Sequence, residues 1–148
     1  MKENKFNPLS VYKDDLFKGK TVLITGGGSG IGKHLTESFL KLGADVIISS
    51  RDEEKLIQTQ KVFKEELGKE ISYFTCDISK PEDVRGMVNA SFALKGKIDI
   101  LINNAGANTL RPTEALTPVR WKAIIDTVLS GTYYVTREVA KKWIKTKF

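Results

Sequence analysis

The 148-residue sequence predicts an α/β domain built on a doubly wound, parallel sheet of the Rossmann type, with about four strands and four helices. Three observations carry this expectation. Strand-like and helix-like segments alternate without a break from Lys20 to Trp143. The strand segments are apolar on both faces, as strands covered on both sides must be. No internal repeat, low-complexity tract or linker interrupts them, so right-handed crossovers would wind helices onto both faces of one sheet.

Residues 1–17 read as an arm, with Pro8 and the pair Asp14-Asp15 breaking any periodicity, and residues 18–148 read as the domain. Lys20 to Thr25 is a β-branched run between Gly19 and Gly26, the first strand. Ile31, Leu35, Phe39 and Leu42 recur at helical spacing, and Gly43 follows as a stop. Val46 to Ile48 is the second strand. Asp52 then caps a helix carrying Leu56, Gln60, Phe63 and Leu67 on one face and ending at Gly68. Ile71 to Thr75 is the third strand. Pro81 stands at the first position of a helix carrying Val84, Val88 and Phe92. Ile98 to Ile102 is the fourth strand, and one helix is expected from about Pro118 to Trp143.

A composition of 41% hydrophobic and 28% charged residues is that of a soluble globular domain. No apolar run approaches the roughly 20 residues that span a bilayer, and residues 1–8 lack the apolar core of a secretory signal. A single cysteine, Cys76, excludes an internal disulfide and suits a reducing cytoplasm, the expected location. The net charge of +6 is spread along helix surfaces, with a small cluster at Lys141, Lys142, Lys145 and Lys147. Solvated lysine faces explain it, and a bias towards polyanionic ligands is the functional alternative. Neither a basic stripe with interleaved aromatics nor a recognisable module points to nucleic acid. The expected partner is a small-molecule substrate, with no nucleic acid and no membrane.

The chemistry concentrates in residues 25–32, T-G-G-G-S-G-I-G, between the first strand and the first helix. A side chain there would hold the backbone away from a pyrophosphate, and the amides at a helix N-terminus attract the anion. The spacing G-x-G-x-x-G is absent; T-G-x-x-x-G-x-G is present, with Gly26, Gly30 and Gly32 as its fixed positions. Gly27 to Lys33 also fits the start of a P-loop, but the following residue is His34, which cannot offer magnesium a hydroxyl. Sites specific for NAD place an acidic residue at the end of the second strand. Here that strand ends Ser49-Ser50-Arg51, so a guanidinium stands where a 2′-phosphate would bind, with Ser50 to assist it. NADP(H) is therefore favoured over NAD(H). Asp52, adjacent, is explained as the next helix cap.

The turn at residues 25–32, Cys76-Asp77-Ile78 after the third strand and Asn103-Asn104-Ala105-Gly106 after the fourth together resemble the short-chain dehydrogenase/reductase family. Order and spacing match from Gly19 onward. The resemblance implies that Gly26, Ser29, Gly30, Ile31 and Gly32 form the cofactor turn. It implies further that Asp77 meets the adenine amino group and that Ile78 belongs to the cofactor site. Asn104, Ala105 and Gly106 would line the cofactor and tie the central strands together. On the residues alone, Asp77 is equally a turn residue and the Asn104 stretch an ordinary strand exit. A narrower likeness links Asp15 to Lys20, Ser50-Arg51 and Trp121 to Thr136 with the enoyl-CoA and 2,4-dienoyl-CoA reductase branch. In that branch Asn108 would orient a thioester carbonyl; its plain alternative is a polar loop residue. Citronellal-type dehydrogenases share much of the pattern, so acyl-CoA, ketone and alcohol substrates all stay open.

The family's catalytic Tyr-x-x-x-Lys pair is missing. Tyr12, Tyr73, Tyr133 and Tyr134 are followed four residues on by Leu16, Asp77, Arg137 and Glu138. Val128 stands where most members carry an Asn. No catalytic residue is assignable, and the chain by itself is expected to bind cofactor without turnover. A non-catalytic NADP(H)-binding or sensor protein, or one half of a split enzyme, are the alternatives to a truncated reductase. The fourth strand is expected at or near a sheet edge. Ile124, Val128, Val135 and Val139 form one stripe of the last helix, with Tyr133, Tyr134 and Trp143 as surplus apolar surface. By resemblance this helix would join a homo-oligomer. His34 is expected to be an exposed helix residue, Cys76 a packed, inert thiol, and no metal constellation is present.

Overall fold

The computed structural model describes residues 8–146; Lys147 of the basic cluster and residues 1–7 of the expected arm lie outside them. Strands β1 (Thr21–Thr25), β2 (Asp45–Ser50), β3 (Ser72–Thr75) and β4 (Ile100–Ile102) form one sheet in the order β3-β2-β1-β4, with every pairing parallel. Side chains alternate across it, as the two-residue period of a strand demands. Val22, Ile24, Val46 and Ile48 pack with Leu40, Leu56 and Phe63 under α1 (Gly30–Lys41) and α2 (Glu53–Leu67). Leu23 and Ile47 pack on the opposite face with Val84, Val88, Val135 and Val139, from α3 (Pro81–Lys95) and α5 (Thr132–Thr146). The sheet is doubly wound as the sequence indicates. β4 is an edge and only half-buried, because nothing among the described residues pairs with its outer side.

Several boundaries and faces differ from the sequence reading, each for a physical reason. Helix α1 does not bury Ile31, which is 75% exposed; its buried residues are Gly32, Thr36 and Leu40, with Leu35 and Phe39 half-buried. The helix is rotated because Gly32 lies against the Gly26 carbonyl, and Thr36 donates to the carbonyls of Gly27 (3.1 Å) and Gly32 (2.9 Å). Asp52 caps α2 as expected, accepting from the Lys55 amide at 3.0 Å, and Gly68 ends it in the left-handed conformation. Gln60, on the expected inner face, is half-buried and donates to the Ile71 carbonyl at 2.7 Å. The single last helix is interrupted: α4 (Pro118–Ile125) passes through a π-helical turn at Asp126–Gly131 before α5. The wider turn buries Thr127 and Gly131 and turns Val128 outward, 45% exposed, so Val128 leaves the expected stripe. Before β1, a 3-10 turn covers Pro8–Val11, and the Phe17 ring packs on Phe39 with centroids 4.9 Å apart.

Candidate cofactor-binding site

All four strands point their C-terminal ends at one cleft of about 400 Å³. In an open α/β sheet this is where ligands bind, because the chain diverges to either face there. Gly26, Ser29, Ile31 and Gly32 line it from the turn after β1, and Ser49, Ser50 and Arg51 from the end of β2. Cys76 and Ile78 close it beyond β3, and Asn104, Ala105 and Gly106 beyond β4. Thus ten of the expected residues converge on one concavity. Gly30 belongs to the turn without forming its wall, and Asp77 also stays out of the wall. Asn108 is exposed on the following loop, where its Oδ1 accepts from the Thr109 amide at 2.7 Å.

The glycines of the turn serve two needs. A Cβ on Gly26 would sit 2.9 Å from Asn104 Nδ2, one on Gly27 would enter Ile48, and one on Gly32 would strike the Gly26 carbonyl. These three glycines are required by contacts within the protein, and Gly26 and Gly32 also line the cleft. Gly26 and Gly30 both have a positive φ, +68° and +50°, but a Cβ on Gly30 would meet nothing within 4 Å.

Asn104 fastens β1 to the loop after β4. Its Nδ2 donates to the carbonyls of Thr25 (3.0 Å) and Gly26 (3.2 Å). Thr25 Oγ1 accepts from the amides of Asn104 (3.1 Å) and Ala105 (3.0 Å). Asn103 Nδ2 donates to Thr136 Oγ1 at 2.9 Å, drawing α5 to the same loop. The cleft wall is thereby held before any ligand arrives.

Burial pushes the Asp77 carboxyl up, but hydrogen bonds from Ser79 Oγ (2.7 Å) and its amide (3.1 Å), with Arg51 and Lys80 nearby, hold it below the ordinary carboxylate value. Burial, reinforced by Asp83 and Asp77, pushes the Cys76 thiol up to about 12, which disfavours the nucleophilic thiolate. His34 is exposed, with Glu37 3.8 Å away.

The residues present fit a dinucleotide. Ser29 occupies the N-cap position of α1, yet its side chain caps nothing, so the first-turn amides are left for an anion. Ser49 Oγ is the one buried side-chain polar atom without a hydrogen-bond partner among the described residues, and Ser49 lines the cleft. Arg51 is exposed at the rim. None of Tyr12, Tyr73, Tyr133 and Tyr134 lines the cleft, so it offers no phenol for acid–base work.

A family model described as short chain dehydrogenase matches residues 20–148. The chain belongs to the short-chain dehydrogenase family. It is 42% identical over 151 aligned residues to a Caenorhabditis elegans protein named as a probable 2,4-dienoyl-CoA reductase ((3E)-enoyl-CoA-producing), covering 97% of this chain and 48% of that protein. Among solved structures, the citronellol catabolism dehydrogenase of Pseudomonas aeruginosa PAO1 is similar, at TM-score 0.82 and 35% identity over 89% of this chain and 54% of that one. A protein of Shigella flexneri, described as a short chain dehydrogenase and complexed with NADP, matches at TM-score 0.80 and 26% identity, covering 86% of this chain and 54% of that one. The chain spans about half the length of the relatives it matches.

Two wall residues were not among the site residues expected from the sequence. Ser49 was visible only as part of a strand end, and Cys76 only as a packed thiol. The available signal was the alternation of β2, which puts Ser49 on the face of Ile47, a hydroxyl in an apolar row. No helix of the described residues is long and apolar enough to cross a membrane.

Proposed function

We propose that this chain is the cofactor-binding part of an NADP(H)-dependent short-chain reductase acting on an enoyl or dienoyl thioester or on a carbonyl compound. The observation that carries the cofactor choice is Arg51, exposed at the end of β2 on the rim of the cleft that the glycine turn opens. The dienoyl-CoA reductases among the relatives and the NADP-complexed neighbour support the reading.

The nicotinamide ring, when bound, supplies or accepts the hydride. The amides at the start of α1 hold the pyrophosphate, and Ser50 and Arg51 the 2′-phosphate. Ile78 and Asn104 to Gly106 would line the cofactor, and Asp77, just outside that wall, would meet the adenine amino group. Asn108 is assigned to the thioester carbonyl. No tyrosine among the described residues lines the cleft, and turnover is assigned to a Tyr-x-x-x-Lys pair that this sequence does not contain. The exposed apolar residues of the last helices, among them Trp121, Leu129 and Tyr133, are assigned to contact with a second copy. The single cysteine, Cys76, suits a reducing compartment such as the cytoplasm.

Titration with NADPH, followed by its fluorescence, tests the reading through competition. Displacement by 2′,5′-ADP at concentrations where 5′-ADP fails is the expected result. Equal competition by the two nucleotides would remove the assigned role of the 2′-phosphate.

A further inference from the structure

The geometry points to Ser49 as a hydrogen-bonding residue for the adenosine portion of the dinucleotide, its Oγ meeting a ribose oxygen or a ring nitrogen. This rests on the cofactor reading above and adds to it a residue that the sequence motifs pass over. Ser49 is 1% exposed, and its Oγ has no partner. A buried hydroxyl is nearly always paired, so an unpaired one calls for a partner, and a water, an ion or a ligand group can supply it. Other buried hydroxyls of this chain do find partners: Thr25 Oγ1 with the Asn104 and Ala105 amides, Thr36 with Gly27, Thr59 with Gly28, and Ser91 with Met87.

Its position decides which part of the ligand it meets. Ser49 is in register with Thr25, and its carbonyl accepts from the Gly26 amide at 2.7 Å, so it adjoins the start of the glycine turn. The next two residues along β2 and its exit are Ser50 and Arg51, at the rim. Ile78 and Ala105 line the same cleft, apolar surfaces suited to a flat ring. A hydroxyl between the pyrophosphate turn and the 2′-phosphate cation lies against the nucleoside that joins them. Packing alone does not explain a serine here, since an alanine would fill the position without burying an unpaired polar atom.

Two variants separate this role from a structural one. In Ser49→Ala, and in Ser49→Cys, which keeps the volume but donates weakly, the Kd for NADPH and that for 2′,5′-ADP should both rise about tenfold. Thermal unfolding without ligand, followed by circular dichroism, should show both variants at least as stable as the parent. Unchanged affinity for 2′,5′-ADP in a folded variant overturns the proposal while leaving the cofactor reading intact. A marked loss of stability in both variants also overturns it, by making the hydroxyl structural. Failure of the parent chain to bind either ligand brings down the cofactor reading and the Ser49 role together.

Discussion

Gly30 and Gly32 are two residues apart and should answer substitution differently. Gly32→Ala drives a methyl into the Gly26 carbonyl and Asn104, backbone and a held amide that cannot give way. It should destabilise the chain by about 3 kcal/mol or more, as overpacking against rigid neighbours does. Gly30→Ala pays only for its positive φ, about 1–2 kcal/mol, and should therefore fold. Its methyl projects into open space beside the turn, so NADPH affinity should fall even though the protein is native. Urea unfolding paired with a binding titration distinguishes the two. Cys76 offers a third residue-scale check. With its thiol pushed up to about 12, alkylation by iodoacetamide at pH 8 should be negligible in the native chain and rapid after denaturation. Brisk native labelling would contradict the packed environment assigned to it. The glycine motif was legible as a turn, but the reason for each glycine was not. Gly26, Gly27 and Gly32 answer to Asn104, Ile48 and the turn's own backbone, and contacts across so many residues leave no local trace in sequence.

Elements are joined by a few polar contacts at the strand ends. Asp99 accepts from the buried Thr21 amide at 2.8 Å and faces Lys20 and Lys97, clasping the start of β1 to the approach of β4. Burial raises its carboxyl, but the Thr21 amide and the two lysines hold it below its ordinary value. A depressed folded-state pKa stabilises the native state above the unfolded value of about 3.9 and loses that contribution as the pH falls through the lower folded value. Asp99→Ala should cost about 1–3 kcal/mol at pH 7, because the Thr21 amide is left unpaired. The electrostatic part of its deficit should shrink in acid. A deficit independent of pH between neutrality and about pH 2 would show that the charge is not involved. The strands and first three helices were legible because burial on both sheet faces writes continuous apolar runs and helical spacing. The rotation of α1 and the π-helical turn were not. They follow from Gly32 meeting Gly26 and from Gly131 meeting Ile78, whose Cγ1 would lie 2.8 Å from an added Cβ. Gly131→Ala should displace Ile78 and so weaken NADPH binding as well as stability.

At the scale of the whole molecule, one edge and one surface remain open. β4 has no outer neighbour among the described residues, while Val119, Trp121, Leu129, Tyr133 and Ile144 stand exposed along α4, the π-helical turn and α5. The second copy proposed above would cover these residues. Light scattering on the purified chain should show concentration-dependent self-association, reduced in a Trp121→Ser, Tyr133→Ser double variant. A strict monomer at all concentrations would contradict the assigned second copy. The family could be read from three short motifs because they surround one cleft, whereas Ser49 and Cys76 became site residues only when the sheet closed around that cleft. The central claim is that this cleft prefers the phosphorylated dinucleotide through Arg51. Calorimetric titration of NADPH and NADH into the parent chain and into Arg51→Ala tests it most directly. Charge-assisted bonds of about 1.5–3 kcal/mol translate into an expected preference of roughly 10- to 100-fold for NADPH in the parent, nearly abolished in the variant. Equal or tighter NADH binding by the parent, or a preference that survives the loss of Arg51, would contradict it.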